Sequence, residues 1–493
     1  MLRKIRLTFA ALFFLGVTLL FLDFTGWAHK WLSWMAEIQF LPAILAVNAG
    51  VVVALIVLTL VCGRIYCSVI CPLGVMQDIM AWVGRRMKKK KKRKAPYSFS
   101  PERRWLRYGV LGAFVLLFVS GLNAVASIIA PYSAYGRIAA NLLAPLYRWA
   151  NNGLAVVAER MDSYAFYSTE VWIKSLPTLI IAAFTFVVLF VLAWRGGRTW
   201  CNTICPVGTV LGLISRFSLY KIGIDTSKCN SCGQCGRKCK AACIDSANHT
   251  IDHSRCVACM NCIGHCKHGA ISYGYAKANK TNKTNNGRRS FLTATALVAA
   301  GVTVEAQKKK VDGGLAVVED KAVPKRTTPI LPAGAFSAQH FSQHCTSCQL
   351  CVSACPNGVL RPSTELSRFM QPEMSYERGY CRPECTRCAD VCPTNAIRPI
   401  TAEQKSSTRI GHAVWVKKNC IPLTDGVECG NCARHCPSGA IQMVAKDAAD
   451  ENSPKIPVVN TERCIGCGAC ENLCPARPFS AIYVEGHERH SEY

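Results

Sequence analysis

Acidic side chains are scarce: the 493 residues carry 30 Asp and Glu against 58 Lys and Arg, and no carboxylate pair or nucleophile constellation for hydrolytic or acid–base chemistry stands out. The chain also lacks G-x-G-x-x-G and G-x-x-x-x-G-K-[ST], which removes the usual dinucleotide and nucleoside triphosphate sites. No C-x-x-C-H occurs, so covalent haem is not expected. The net charge of +28 is of a size often met in nucleic-acid binders, yet no aromatic-interleaved or helix-turn-helix module accompanies it. Nucleic acid is therefore not an expected partner. Much of the excess sits in one block between apolar segments: Arg85, Arg86, Lys88–Lys92, Arg93, Lys94, Arg103, Arg104 and Arg107. Such a block beside apolar spans reads as a cytoplasmic anchor facing anionic membrane lipid.

What the chain has in excess is cysteine, 30 residues of it. A secreted disulfide framework is the first alternative, but the spacing opposes it. Twenty-four of the cysteines fall into six quartets that close with intervals of two or three residues, better placed for a metal than for bridges. Zinc sites usually use two separated C-x2-C pairs. The stretch 229–266 holds two runs of C-x2-C-x2-C-x3-C, the pattern by which bacterial ferredoxins hold 4Fe-4S clusters, the fourth Cys serving the other run's cluster. On that rule Cys229, Cys232, Cys235 and Cys266 form one set, and Cys256, Cys259, Cys262 and Cys239 the other. Cys243 stands where later runs have Ala before Ile, so it reads as a packing residue. Lys240 and Lys267 replace the usual Pro after the fourth Cys and put positive charge near both clusters, which should raise their potentials.

Ahead of this stretch, four segments are long and apolar enough to span a bilayer: about 7–24, 41–61, 108–130 and 176–194. Basic residues flank the N-terminus, the 85–107 loop and the end of the fourth segment. The positive-inside rule then puts both ends of this unit, and residues 225–275, in the cytoplasm. The unit contains a repeat. R-I-Y-C-S-V-I-C-P-L-G (Arg64–Gly74) recurs as R-T-W-C-N-T-I-C-P-V-G (Arg198–Gly208), which points to a duplicated helical hairpin. The i, i+4 spacing puts Cys67 with Cys71, and Cys201 with Cys205, on one side of a helical turn that Pro ends. A redox or cofactor-binding site competes there with plain packing by small buried thiols, and the doubling favours the former. Cys62 has no counterpart and reads as structural.

Residues 276–335 are a polar stretch, then G-R-R-S-F-L-T-A-T-A-L-V-A-A-G-V-T-V (Gly287–Val304), then a linker. Two Arg before a mildly apolar run resemble an internal twin-arginine export signal, or a candidate fifth span. Export would put residues 336–493 in the periplasm. That tail has four more quartets: Cys345, Cys348, Cys351, Cys355; Cys381, Cys385, Cys388, Cys392; Cys420, Cys429, Cys432, Cys436; and Cys464, Cys467, Cys470, Cys474. Spacing leaves open whether the runs exchange fourth ligands in sequence order or nested. Cys381-x3-Cys385-x2-Cys388 also matches a radical-SAM triad, but Cys392 would fill the free iron corner and no βα-barrel pattern surrounds it. His344 and His435, beside complete quartets, are expected to hydrogen-bond or meet solvent rather than ligate.

The expected architecture is an all-α membrane helical unit (1–224), an α+β ferredoxin-like domain with two clusters (225–275), the linker (276–335) and a four-cluster polyferredoxin domain (336–493). The spans with C-x3-C-P after the second and fourth, followed by two ferredoxin runs, resemble the NapH-type membrane quinol dehydrogenase subunits and their wider polyferredoxin family. The twin-Arg segment and four-run tail resemble NapG-type ferredoxins, as if the two were fused. The resemblance implies a protein of the bacterial inner membrane that moves electrons from the quinone pool through six 4Fe-4S clusters to a periplasmic reductase or cytochrome. Two other roles fit the same parts: a redox assembly factor for a respiratory metalloenzyme, and transfer from cytoplasmic ferredoxin to quinone. Quinol oxidation needs proton acceptors near the membrane, for which Asp23, His29 and Glu37 are candidates, a loop role competing for each.

Overall fold

The computed structural model describes residues 2–87, 97–163, 165–275, 310–311, 317–318, 320–447 and 453–492. The Lys88–Lys94 block and the Gly287–Val304 segment lie outside these residues. The expected export signal and fifth span therefore lie outside the described residues.

The N-terminal part is helical. Leu2–Leu22 and Leu176–Gly196 are each 21 residues and, among the described residues, are the two helices long and apolar enough to cross a membrane. The other two expected spans are interrupted. Phe40–Leu45 stops at a turn where Val47 takes a positive φ, and Asn48 then caps Ala49–Cys62 by accepting from the Val51 N–H at 3.2 Å. At 14 residues that helix is about 21 Å long. Arg104–Val119 ends at Ser120–Gly121, where Gly121 takes φ +80°, and a short Asn123–Ala126 turn follows. Apolar composition set the expectation; capping by Asn and a left-handed glycine set where the helices stop. Pro131–Ile138 runs through a π-helical segment, Ala139–Leu143, into Ala144–Glu159. Leu176–Gly196 packs along Pro72–Met87 and Pro131–Ile138, and Leu2–Leu22 along Tyr66–Val69 and Pro72–Met87.

The remainder is built from short helices and two-stranded antiparallel sheets. Tyr220–Ile224, just ahead of the expected boundary at 225, pairs with Ile271–Tyr275 and closes the first cysteine-rich module. In the tail, Thr408–Trp415 pairs with Ile482–Glu492, Ile441–Ala445 with Lys455–Val459, and Leu360–Pro362 with Pro372–Met374. Ile330, Leu331, Ala333 and Ala335, in the stretch expected to be linker, are almost wholly buried in the tail core.

The two cysteine-rich modules sit at opposite ends of the helical unit. Residues 225–275 touch one end: Gly264 lies beside Arg3, the Arg198 N–H donates to the Lys240 carbonyl at 2.8 Å, and the Tyr273 hydroxyl to the Cys62 carbonyl at 3.0 Å. The tail touches the other: Gly136 lies against Phe21 and the Cys348 carbonyl, Gly26 against Arg387, and Lys174 Nζ donates to the Val352 carbonyl at 2.6 Å. Leu2–Leu22, about 31 Å long, runs from one end to the other.

Candidate iron–sulfur centres and the paired cysteine motifs

Each quartet folds as a tight loop followed by a short helix, so three thiols of a run share one small space. Cys229, Cys232, Cys235 and Cys266 line one cavity of the first module. Cys239, Cys256, Cys259 and Cys262 line its neighbour, together with Cys243. Both sets are those the ligand-exchange rule predicts. Cys243 is buried, and its sulfur lies 3.5 Å from that of Cys239 and within hydrogen-bond reach of Cys256. It is a packing residue that also touches two thiols of the set.

In the tail, packing decides what spacing left open. Cys392 stands in electrostatic reach of Cys345, Cys348 and Cys351, and Cys355 in reach of Cys381 and Cys388. Cys436 keeps company with Cys464, Cys467 and Cys470, and Cys474 with Cys420 and Cys432. The last cysteine of the first run therefore lies with the thiols of the second and the reverse, and likewise for the third and fourth runs, which is the sequence-order grouping. The two pairs meet where the Cys381 N–H donates to the Cys467 carbonyl at 2.9 Å.

Among the described residues no three His, Cys, Asp or Glu side chains approach closely enough to hold a single metal ion. A cubane spreads its ligands to four corners, and the surroundings suit such an anionic group. Lys405 is buried and donates to the Arg382 and Cys385 carbonyls. Burial alone would lower its pKa, but Cys381, Cys388 and Cys385 outweigh that and hold the ammonium above its ordinary value. Arg137 is fully buried, with Nη2 on the Ser127 and Ile128 carbonyls and Nε and Nη1 unpartnered among the described residues. Burial lowers it to about 10, and Cys348 is the group that opposes the shift. Buried cations need counter-charge. A cluster held by the adjacent thiolates would supply it. Burial also pushes the Cys348 and Cys467 thiols up to about 12, a cost that iron removes by taking the proton's place.

The repeated motifs form a reciprocal pair. Arg64 Nη2 donates to the Cys201 carbonyl of the other copy at 3.2 Å, and Arg198 Nη1 to the Cys67 carbonyl. A Cβ at Gly74 would overlap the Cys67 carbonyl and crowd Arg198; one at Gly208 would overlap the Cys201 carbonyl and crowd Arg64. The recurring Arg and Gly are thus one half of a contact each, and a duplicated hairpin packed against itself is what the geometry shows. Cys67, Cys71, Cys201 and Cys205 are all buried and in mutual electrostatic reach, with Gln77 Nε2 donating to Cys201 Sγ at 3.2 Å. Arg64 Nη1 also donates to the Ser254 carbonyl at 2.9 Å, tying this centre to the first module.

Sequence reading missed Asp78. It is buried, 2.6 Å from Arg6, 2.9 Å from Arg198 and 3.4 Å from Lys240. Burial raises its pKa, but Arg198, Lys240 and Arg6 outweigh this and hold the carboxyl far below the ordinary range. The Lys240 ammonium, next in sequence to Cys239, is thus held 3.4 Å from Asp78. A lone Asp just past the first C-x3-C-P copy gave no signal; the three cations that converge on it come from distant parts of the chain. The expected proton acceptors also have structural work. Asp23 accepts from the Thr25, Gly26 and Ala28 backbone at 2.7–3.0 Å, and buried His29 pairs Nε2 with the Leu20 carbonyl at 2.7 Å. His344 Nδ1 meets the His340 carbonyl at 2.9 Å, its ring stacked on His340.

Three family models match parts of the chain. One described as a 4Fe-4S binding domain covers 45–91 and 176–225, the two copies of the repeat. A 4Fe-4S dicluster domain covers 344–396 and 427–477, and a further 4Fe-4S binding domain covers 249–272. The ferredoxin-type protein NapH of Haemophilus influenzae is 28% identical over 36% of this chain and 48% of its own length. The methylamine utilization ferredoxin-type protein MauN of Methylorubrum extorquens is 30% identical over 39% of this chain and 55% of its own. The ferredoxin-type protein NapG of Escherichia coli is 30% identical over 40% of this chain and 84% of its own. The chain spans about half the length of the NapH and MauN relatives. No solved structure matches it.

Proposed function

The chain belongs to the ferredoxin-type family represented by NapG, and from that premise we propose that it carries electrons from membrane quinol to an acceptor on the outer side of a bacterial inner membrane, such as a reductase or cytochrome. It is an iron–sulfur electron-transport protein with multiple 4Fe-4S clusters. In the proposed form there are six, held by the six thiol sets described above. The helical unit crosses the bilayer four times, its two interrupted helices completing their spans as broken segments packed against protein, where irregular backbone is tolerated. Residues 225–275 face the cytoplasm and residues 336–493 the periplasm, reached by the twin-arginine route.

The observation that carries this reading is the position of thiol sets at both ends of one helical unit. A carrier confined to one side of a membrane has no use for that arrangement. The protein's part is to hold the clusters in order and to tune them by charge, hydrogen bonding and burial, as Arg137, Lys405 and Cys243 do. The test is anaerobic addition of a short-chain quinol to the purified protein: cluster absorbance should bleach, and an added high-potential acceptor should restore it. One observation favours the opposite direction of flow, because Cys232 is exposed and leaves a set of the first module open to a soluble partner. Clusters that stay oxidised with quinol but are reduced by a cytoplasmic ferredoxin would establish that direction instead.

A further inference from the structure

An apolar cavity of about 560 Å³ lies at the tail-bearing end of the helical unit, between the π-helical segment, the residues leading into Leu176–Gly196, and the tail. We infer that this cavity is the site where a prenylated quinol binds, beside the first pair of tail clusters. The inference rests on the preceding reading and locates its substrate.

The walls carry the argument. Leu146 and Trp149 line the cavity and are 58% and 60% exposed, which leaves its mouth open sideways at the level where spanning helices meet the headgroups. Trp172 lines the cavity as well, its ring already carrying the Arg361 and Arg378 guanidinium groups at 4.5 and 4.7 Å, which leaves Trp149 as the aromatic side chain for a planar ring. The polar groups are few: Asn141, Arg148, Lys174 and Ser353. Lys174 spends one N–H on the Val352 carbonyl at 2.6 Å and keeps two for a ring oxygen. Arg148 Nε is buried without a hydrogen-bond partner among the described residues. Asn141 sits in the π-helical segment, a local widening that recurs at functional sites. Few polar groups in an apolar cleft is the usual make-up of a small-molecule site.

Ser353 fixes the relation to the clusters. It lies in Leu350–Ala354, between Cys351, which joins the set of Cys345, Cys348 and Cys392, and Cys355, which joins that of Cys381 and Cys388. A quinol gives up two electrons and two protons to become a quinone. Two one-electron 4Fe-4S acceptors beside the same cavity match that stoichiometry. The two protons pass to water in a larger cavity of about 860 Å³, which shares Arg148, Trp172 and Lys174, opens between the two parts of the protein and has the Glu170 carboxylate in its lining.

An azido-quinone photoprobe, applied to the full-length protein in phospholipid nanodiscs, tests the site. Label should fall within 139–149 and 171–179 and be displaced by excess quinone. Displacement by an anionic phospholipid instead would assign the cavity to lipid, and label near Cys67–Cys71 would move the quinol to the other end; either overturns the inference. Trp149→Ala, at an exposed position, should raise the half-saturating quinol concentration about tenfold for cluster bleaching. Its iron content and its reduction by dithionite should match the parent. A variant that bleaches at the parent's quinol concentrations overturns this site while the quinol reading stands. Parent protein that quinol fails to bleach at all defeats the reading itself.

Discussion

The sulfurs of Cys239 and Cys243 lie 3.5 Å apart in the buried wall of the second cavity of the first module. One belongs to a ferredoxin run and the other does not, so Cys243 acts on the cluster site as a neighbour, and its S–H can donate to a ligating thiolate. Hydrogen bonds to cluster sulfurs raise reduction potentials. Cys243→Ala should therefore leave iron and sulfide content unchanged and lower one midpoint potential, read by redox titration with EPR. Loss of about four iron per chain would instead make Cys243 a ligand.

Sequence-order exchange of ligands in the tail makes an asymmetric prediction. Cys392→Ala should weaken the cluster of Cys345, Cys348 and Cys351 and spare the one of Cys381, Cys385 and Cys388, its own run. Cys355→Ala should do the reverse. Iron analysis with Mössbauer or EPR assignment of the surviving signals separates this from a nested arrangement, in which Cys355 would serve the fourth run.

Asp78 gathers three cations from separate segments. Asp78→Asn leaves Arg6, Arg198 and Lys240 without their shared counter-ion, which should cost roughly 3–5 kcal/mol in thermal or denaturant unfolding. The pH sign follows from the depressed carboxyl. Its contribution is fully present above the ordinary Asp value of about 3.9 and is lost as pH falls through the lower folded-state value. The parent should therefore lose stability in that acid window, and Asp78→Asn should lose less there.

Glu471 is the tail's counterpart. It is buried, its Oε1 is 2.5 Å from Arg326, and its Oε2 accepts from the Val484 N–H at 2.8 Å. Glu471→Ala should destabilise the tail by roughly 3–5 kcal/mol in a urea titration followed by cluster absorbance. Glu471→Gln, which keeps the backbone bond, should cost less.

The C-x3-C-P copies show how far the pattern alone could be read. Arg64–Gly74 and Arg198–Gly208 are legible as a duplication, and Cys67/Cys71 as neighbours on one turn, because four residues of helix fix that geometry. That the first copy's Arg holds the second copy's carbonyl, and the reverse, is invisible to spacing. The two apolar segments that break at Asn48 and Gly121 show a related limit: composition reports burial or lipid contact, whereas a cap or a left-handed residue decides where a helix ends.

By itself the sequence determined the chemistry. Quartets of cysteine a few residues apart can reach one cluster within a single loop, whatever the rest of the chain does. Only the tertiary structure decided which runs' cysteines lie together, which cations surround Asp78, and that a cavity opens beside Ser353. Those depend on contacts between residues far apart in the chain, where packing of whole elements, not the reach of a loop, sets who meets whom.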